Sequence, residues 1–368
     1  LHLSLRRQRQ MCIRDRHSEG KINLKINVPE SGKCYLKFIY HLKKELPLLD
    51  EDHILGFDEI EVSQKDAKCQ LAEKWVEKTV TDSELQVSED DTQIHIKGRE
   101  FAYTIDRRTA LFTEMKFAGR EYLNHPMELN IWRAPTDNDM YIKSEWKKAH
   151  YDKAYTRAYT TEVVQGKHGV KITSHASVVA ETVQKILDVT ITWKIEAAGK
   201  IDADIAVTKD DEFPDLPRFG VRMFLDKKLS AARYFGMGPQ ESYCDKHQAA
   251  SHGLYHANVD DLHEDYIRPQ ENGSHYDCEY VELNNSRYGI VVSAENAFSF
   301  NASYYTQEEL EKKTHNYELT ESDSVVFCVD YALNGIGSNS CGPVVLDQYR
   351  FDDVLFRFQF TLIPYVKG

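Results

Sequence analysis

Leu187-Asp-Val-Thr-Ile-Thr-Trp-Lys-Ile195 and, after an Ala198-Gly-Lys200 turn, Ile201-Asp-Ala-Asp-Ile-Ala-Val207 decide the fold class. In both runs apolar side chains alternate with polar ones. Each segment therefore turns one face to a core and the other to solvent, the period of a half-buried β-strand. Helical spacing would instead mix those apolar residues with Asp, Thr and Lys on one face. Working outward, Ile94 and Ile96 followed by Phe101, Tyr103 and Ile105 predict a hairpin around Gly98. Phe356, Phe358, Phe360 and Leu362 predict a last strand ahead of Pro364. Only Ser144–His150 and Glu308–Lys313 suggest helices, both short. From about residue 85 to the end the expectation is an all-β domain, a large antiparallel sandwich.

The chain before it reads differently. Ile22, Leu24, Ile26 and Val28 alternate with polar residues, Pro29-Glu-Ser-Gly32 reads as a turn, and Cys34–Leu42 and Ile60–Val62 as further strands. Two or three strands do not make a sandwich by themselves. Residues 64–84 are polar and charged, the composition of a linker. Residues 1–16 carry five arginines against the single acid Asp15 and no periodicity. Gln8–Arg16 resembles translated sequencing-adapter read-through, so residues 1–16 are set apart as non-native and the domains begin at residue 17.

A chain of 368 residues buries substantial cores and suggests two or three domains. No apolar run approaches the roughly 18–20 residues of a membrane span. The net charge of −13 disfavours nucleic acid and anionic membrane as partners. Seven cysteines, scattered without a paired spacing, fit free thiols in a reducing cytoplasm. His252, His256 and His263 lack a second ligand cluster, and Asp137-Asn-Asp139 has Ile142 and Lys148 where a calcium loop needs Gly and Glu. No metal site is assigned.

The densest chemistry is Ile131-Trp-Arg-Ala-Pro-Thr-Asp-Asn-Asp139. Trp132 would offer a ring face to a pyranose, and Arg133, Asp137, Asn138 and Asp139 supply donors and acceptors on a turn stiffened by Pro135. The competing reading is a loop whose Asp and Asn satisfy their own backbone. Trp132–Asp139 resembles the signature opening the last domain of the large β-galactosidases of glycoside hydrolase family two. Tyr234–Asp245, Gln270–Gly273 and Gly335–Pro343 resemble three further blocks of that domain, in the same order. The resemblance implies a β-supersandwich of the galactose-mutarotase type over residues 85–368. It also makes residues 17–63 the C-terminal half of an immunoglobulin-like domain.

The same resemblance implies a parent enzyme that hydrolyses terminal β-D-galactosyl bonds, lactose among them, with retention. Retention needs two carboxylates about 5–5.5 Å apart. In the family both lie in a barrel domain N-terminal to everything here, so no catalytic residue is assigned and this chain alone is expected to be inactive. Its expected partners are the β-galactoside, the catalytic barrel portion and further copies of the full enzyme. No cofactor is expected in this chain; Mg2+ and Na+, where the parent needs them, would bind elsewhere. Candidate substrate-binding residues are Trp132, Arg133, Asp137, Asn138, Asp139, Glu271, Asn272 and Cys341. Glu241 and Asp245 are candidates for a domain interface.

Two departures from the family pattern stand out. Tyr141 occupies a position where Gly often serves as a hinge, and Cys341 one where an aromatic residue stacks on the sugar. The resemblance also implies an exposed apolar patch near Trp132 and Cys341. The alternatives are a natural small subunit of a two-chain β-galactosidase, an aldose 1-epimerase-like enzyme using His95, His175 or His315, and a non-catalytic sugar-binding module.

Overall fold

The computed structural model describes residues 21, 23–63, 71, 85–337, 340 and 342–367. These fall into two compact units, one ending before residue 74 and one beginning there. No helix among them is long and apolar enough to cross a membrane. The expectations for residues 1–16, for most of 64–84 and for Cys341 lie outside the described residues.

In the first unit β1 (Tyr35–His41) pairs antiparallel with β2 (Ile54–Glu61). The second strand starts six residues earlier than the Ile60–Val62 expectation, and Asn23–Val28 joins no strand. An alternating pattern specifies a face but supplies no hydrogen-bond partner, and among the described residues Asn23–Val28 has no neighbouring strand to complete its ladder. Ile39, Leu46, Leu48, Ile54, Leu55 and Ile60 are exposed.

The second unit is built almost wholly from strands. A five-stranded antiparallel sheet runs in chain order through β3 (Gln86–Glu89), β4 (Gln93–Lys97), β5 (Phe101–Asp106), β6 (Leu111–Phe117) and β7 (Arg120–Glu121). The expected hairpin at Gly98 is the β4–β5 pair. A twelve-stranded sheet takes up the rest. Its strands are β8 (Leu123–Asn130), β9 (Tyr155–Gln165), β10 (Gly169–Val179), β11 (Leu187–Glu196), β12 (Ile201–Lys209) and β13 (Arg218–Asp226). They continue with β14 (Ala231–Gly238), β15 (Ser251–Asn258), β16 (Ser274–Asn284), β17 (Tyr288–Ser303), β18 (Ser324–Leu333) and β19 (Leu355–Val366). The all-β class expected from the alternation is the one found.

β17 makes this sheet turn. Its first half, Tyr288–Ser293, pairs with β19, and its second half, Ser299–Ser303, pairs with β18. Between them Glu295–Ala297 are exposed, as expected where a strand changes partners at a corner. The opening motif explains the core: Leu187, Val189, Ile191, Trp193 and Ile195 are all buried on β11. Trp193 packs between Phe112 of the smaller sheet, 4.9 Å away, and Phe360 of β19, 6.4 Å away. Its indole nitrogen donates to the Ala110 carbonyl at 2.8 Å, so the largest core residue buries no idle donor.

β19 does not stop before Pro364; it runs on to Val366. Leu362 is its last partner on the β12 side, and Pro364 pairs only toward β17. A strand with a neighbour on one side tolerates the missing N–H. The two expected helices are α1 (Ile142–Lys148) and α2 (Gln307–Lys312), each a residue or two from its expected span.

Candidate functional site

All four sequence blocks meet in one hydrogen-bonded junction. Its centre is Arg133, fully buried three residues past the end of β8. The guanidinium forks onto Asp139, Nε to Oδ2 at 3.1 Å and Nη2 to Oδ1 at 2.7 Å. It also donates to the carbonyls of Asn334 and Gly335, which binds the first block to the fourth. Asp139 Oδ2 accepts from Thr136 N at 2.9 Å, fixing the 3-10 turn Asp137–Asp139. Asn138 donates to Ile336 O at 2.6 Å, a second tie between the same blocks.

The third block joins from the other side. Glu271 N donates to Ala134 O at 3.0 Å, and Gln270 accepts from Asp137 N at 3.2 Å. Gly273 takes a left-handed φ of +70°. A Cβ there would collide with the Leu262 carbonyl, so only glycine lets this turn close. Its N–H donates to Glu241 Oε2 at 2.9 Å, linking the third block to the second. Glu241 further accepts from Tyr266 and Lys246. Asp245 closes the ring of blocks, accepting from Ile336 N at 3.0 Å and Gly337 N at 2.7 Å. Glu241 and Asp245, expected at a domain interface, thus direct their carboxylates into their own unit.

Beneath the junction lies a charge cluster of which the motifs contained only Glu271. Arg218 of β13, fully buried, binds Asp330 of β18 through Nε and Nη2, and Glu271 through Nη1 at 3.2 Å. Burial opposes the Arg218 charge, but Asp330 and Glu271 overcome it and hold the group well above its ordinary range. Burial raises both carboxyls, with Arg218 pulling the other way. Glu271 Oε1 is buried without a hydrogen-bond partner. With two carboxylates on one guanidinium, Glu271 is the weaker-paired member. The sequence did carry a trace of this cluster: Asp330 is a lone acid in the run Val325-Val-Phe-Cys-Val-Asp-Tyr-Ala-Leu333. A charge in such a strand needs a buried partner. His275, also missed, is buried against Tyr234 and Phe300, with ring centroids 4.5 and 5.1 Å away. Burial lowers its imidazole to about 4.

The structure separates the candidate residues into two groups. Trp132, Arg133, Asp139, Glu271 and Asn272 are buried. The open ring face expected of Trp132 is not there: the indole is 3% exposed, meets Trp146 edge-on at 6.2 Å and has the Lys147 ammonium 4.8 Å over its ring. Any further packing against this unit would only bury it more. Asp137 and Asn138 remain at the surface, beside Met140 and Tyr141, which are 44% and 60% exposed. Tyr141 has φ −93°, an ordinary right-handed value, so this conformation needs no glycine. His95 lies on β4, His175 on β10 and His315 ahead of the turn Asn316–Glu318; each bonds a local partner, Thr104, Thr190 and Thr314. Among the described residues no His, Cys, Asp or Glu cluster is grouped to hold a metal ion.

Comparison with known proteins fits this arrangement. The chain is 43% identical to the β-galactosidase of Actinobacillus pleuropneumoniae over 346 residues, 94% of this chain and 34% of that one. It is 31% identical to the β-galactosidase of Staphylococcus xylosus, again over 94% of this chain and 34% of the relative. The chain therefore spans about a third of the length of the curated relatives it matches. Among solved structures it is similar to a galactose 1-epimerase from Lactobacillus acidophilus NCFM. That TM-score is 0.40 at 8% identity, covering 78% of this chain and all of that one. The family described as "Beta galactosidase small chain" matches residues 97–362, most of the chain. On that match, the chain belongs to the β-galactosidase small chain family.

Proposed function

We propose that this chain is the C-terminal portion of a retaining β-galactosidase of glycoside hydrolase family two, acting on terminal β-D-galactosyl bonds such as that of lactose. The observation that carries the reading is the junction. Four blocks more than 200 residues apart in sequence, Arg133 to Asn334, are drawn into one hydrogen-bonded knot. Asp137, Asn138, Met140 and Tyr141 stand at its rim. In this reading the knot is scaffold, and the rim meets the sugar or the catalytic portion of the enzyme.

The chain supplies no hydrolytic carboxylate pair in this reading. Glu271 and Asp330 share a guanidinium, but they are 3% and 0% exposed and held by Arg218, where neither a sugar nor water reaches them. A retaining mechanism needs both carboxylates open to the anomeric carbon. Catalysis then falls to a barrel carried on the rest of the enzyme.

The test is nitrophenyl-galactoside hydrolysis by the 368-residue chain, alone and mixed with the N-terminal portion of a related β-galactosidase. Hydrolysis in the mixture only, reduced tenfold or more by Asp137→Ala with Asn138→Ala, is the expected result. Hydrolysis by the chain alone would overturn it.

A further inference from the structure

We infer that the second unit carries a saccharide-binding cleft, lined by Tyr276, Asp277, Tyr331, Gln348, Tyr349 and Asp353, for a neutral mono- or disaccharide. The cleft encloses a volume of about 300 Å3 between β16, β17, β18 and the segment before β19. That is at the small end of ligand sites, which run to roughly 300–1,000 Å3.

Three features make it a built site. Two of its tyrosines are backed by other rings: Tyr331 stacks on Phe356 at 4.8 Å and 16°, and Tyr276 on His247 at 5.7 Å and 25°. Each is only half-buried, which leaves ring area for the apolar face of a pyranose. Next, Asp277 sits on a bulge of β16, where the register with β17 slips between His275 and Cys278. Its φ is +54°, a conformation an Asp side chain adopts at a cost. Bulges of this kind re-aim a side chain, and this one places Asp277 in the cleft lining. His252 Nε2, 2.9 Å from Asp277 Oδ2, holds the second side of that carboxylate, and Ser242 Oγ accepts from Tyr276 N at 2.9 Å to pin the bulge.

The far wall is held as firmly. Gly335 N donates to Tyr349 O at 2.8 Å, Phe351 N to Asn334 Oδ1 at 2.9 Å, and Arg350 Nε to Asp215 at 2.8 Å. Asn334 is also the residue whose carbonyl Arg133 holds, so the cleft wall hangs on the motif junction. The charge decides the ligand class. Among the described residues Asp277 and Asp353 line the cleft, and Arg350, the one cation in that lining, is engaged by Asp215. An anion would meet net negative charge; a polyhydroxyl ring offers donors to both carboxylates and apolar faces to the tyrosines.

The test uses the 368-residue chain with methyl β-D-galactoside, lactose and cellobiose as probes, read by titration calorimetry and by saturation transfer in NMR. The expected result is saturable binding of at least one probe at millimolar concentration. Asp277→Asn and Gln348→Ala should each weaken it tenfold or more, and the rim variant Asp137→Ala should change it less than twofold. Gln348 is exposed, so its variant keeps the test decisive if Asp277→Asn perturbs the bulge, which near-ultraviolet circular dichroism would reveal. No saturable binding of any probe overturns the inference. So does binding that the rim variant abolishes and the cleft variants leave intact.

Discussion

The junction and the β1–β2 hairpin were both legible as patterns, yet they came out oppositely. At the junction the most polar motif of the chain is buried: Arg133, Asp139 and Glu271 are nearly inaccessible and tied to residues far away in sequence. On the hairpin several apolar side chains are exposed, Leu48 fully and Ile54, Leu55 and Ile60 by more than half. Density of polar residues in a motif thus marked where segments cross, because crossing segments must satisfy each other's backbone. Apolar alternation marked a face without guaranteeing anything to cover it.

This contrast is sharpest where charge is buried. Replacing Arg218 by Met strands two carboxylates in the core and should cost about 3–5 kcal/mol. Urea unfolding measures it, and a loss below about 1 kcal/mol would mean the cluster does not hold the second unit together. Arg133→Met should behave alike, whereas Glu271→Gln should cost far less, since it removes the carboxyl that burial already disfavours.

A second effect comes from His275. Its imidazole is lowered from 6.5 to about 4, so between those values the unfolded chain binds a proton that the folded chain refuses. Stability from this group is complete above pH 6.5 and is lost as pH falls toward 4, by roughly 3 kcal/mol in all. His275→Phe should flatten that part of the profile. An unchanged difference between pH 7 and pH 4.5 would show that His275 is not the buried neutral group described.

Smaller still is Asp245→Ala, which takes the acceptor from two backbone N–H groups, those of Ile336 and Gly337. A loss of about 1–3 kcal/mol is expected, with a local rise in hydrogen exchange at those amides. At the bottom of the scale, Leu48→Ser or Ile54→Thr on the hairpin should alter the stability of this chain by no more than about 0.5 kcal/mol. A large loss there would show that the hairpin face is covered after all.

Much of the fold was readable because strand alternation is a local signal. β11 and β12 run within one or two residues of where their apolar residues place them, with Trp193 at the core as its position in the run requires. Pro364 misled because a proline reads as a strand terminator unless the neighbouring ladder is known to have ended already. At the candidate site the blocks were identified, but the exposure of their residues was not. Trp132 has the chemistry of a sugar platform and the surroundings of a core residue, and only Trp146 and Lys147, brought over by α1, distinguish the two.

The sequence by itself determined that this protein is all-β and where strands such as β11 and β12 fall, since alternation is a spacing within a few residues; the four blocks stood out through the family resemblance. Tertiary structure alone decided that Arg133 faces Asn334, that Arg218 lies between Glu271 and Asp330, and that Asp277 and Tyr331 line one cleft. Those pairings join segments 50 to 200 residues apart. They arise from how β13, β16, β17 and β18 stack, and no local preference encodes that.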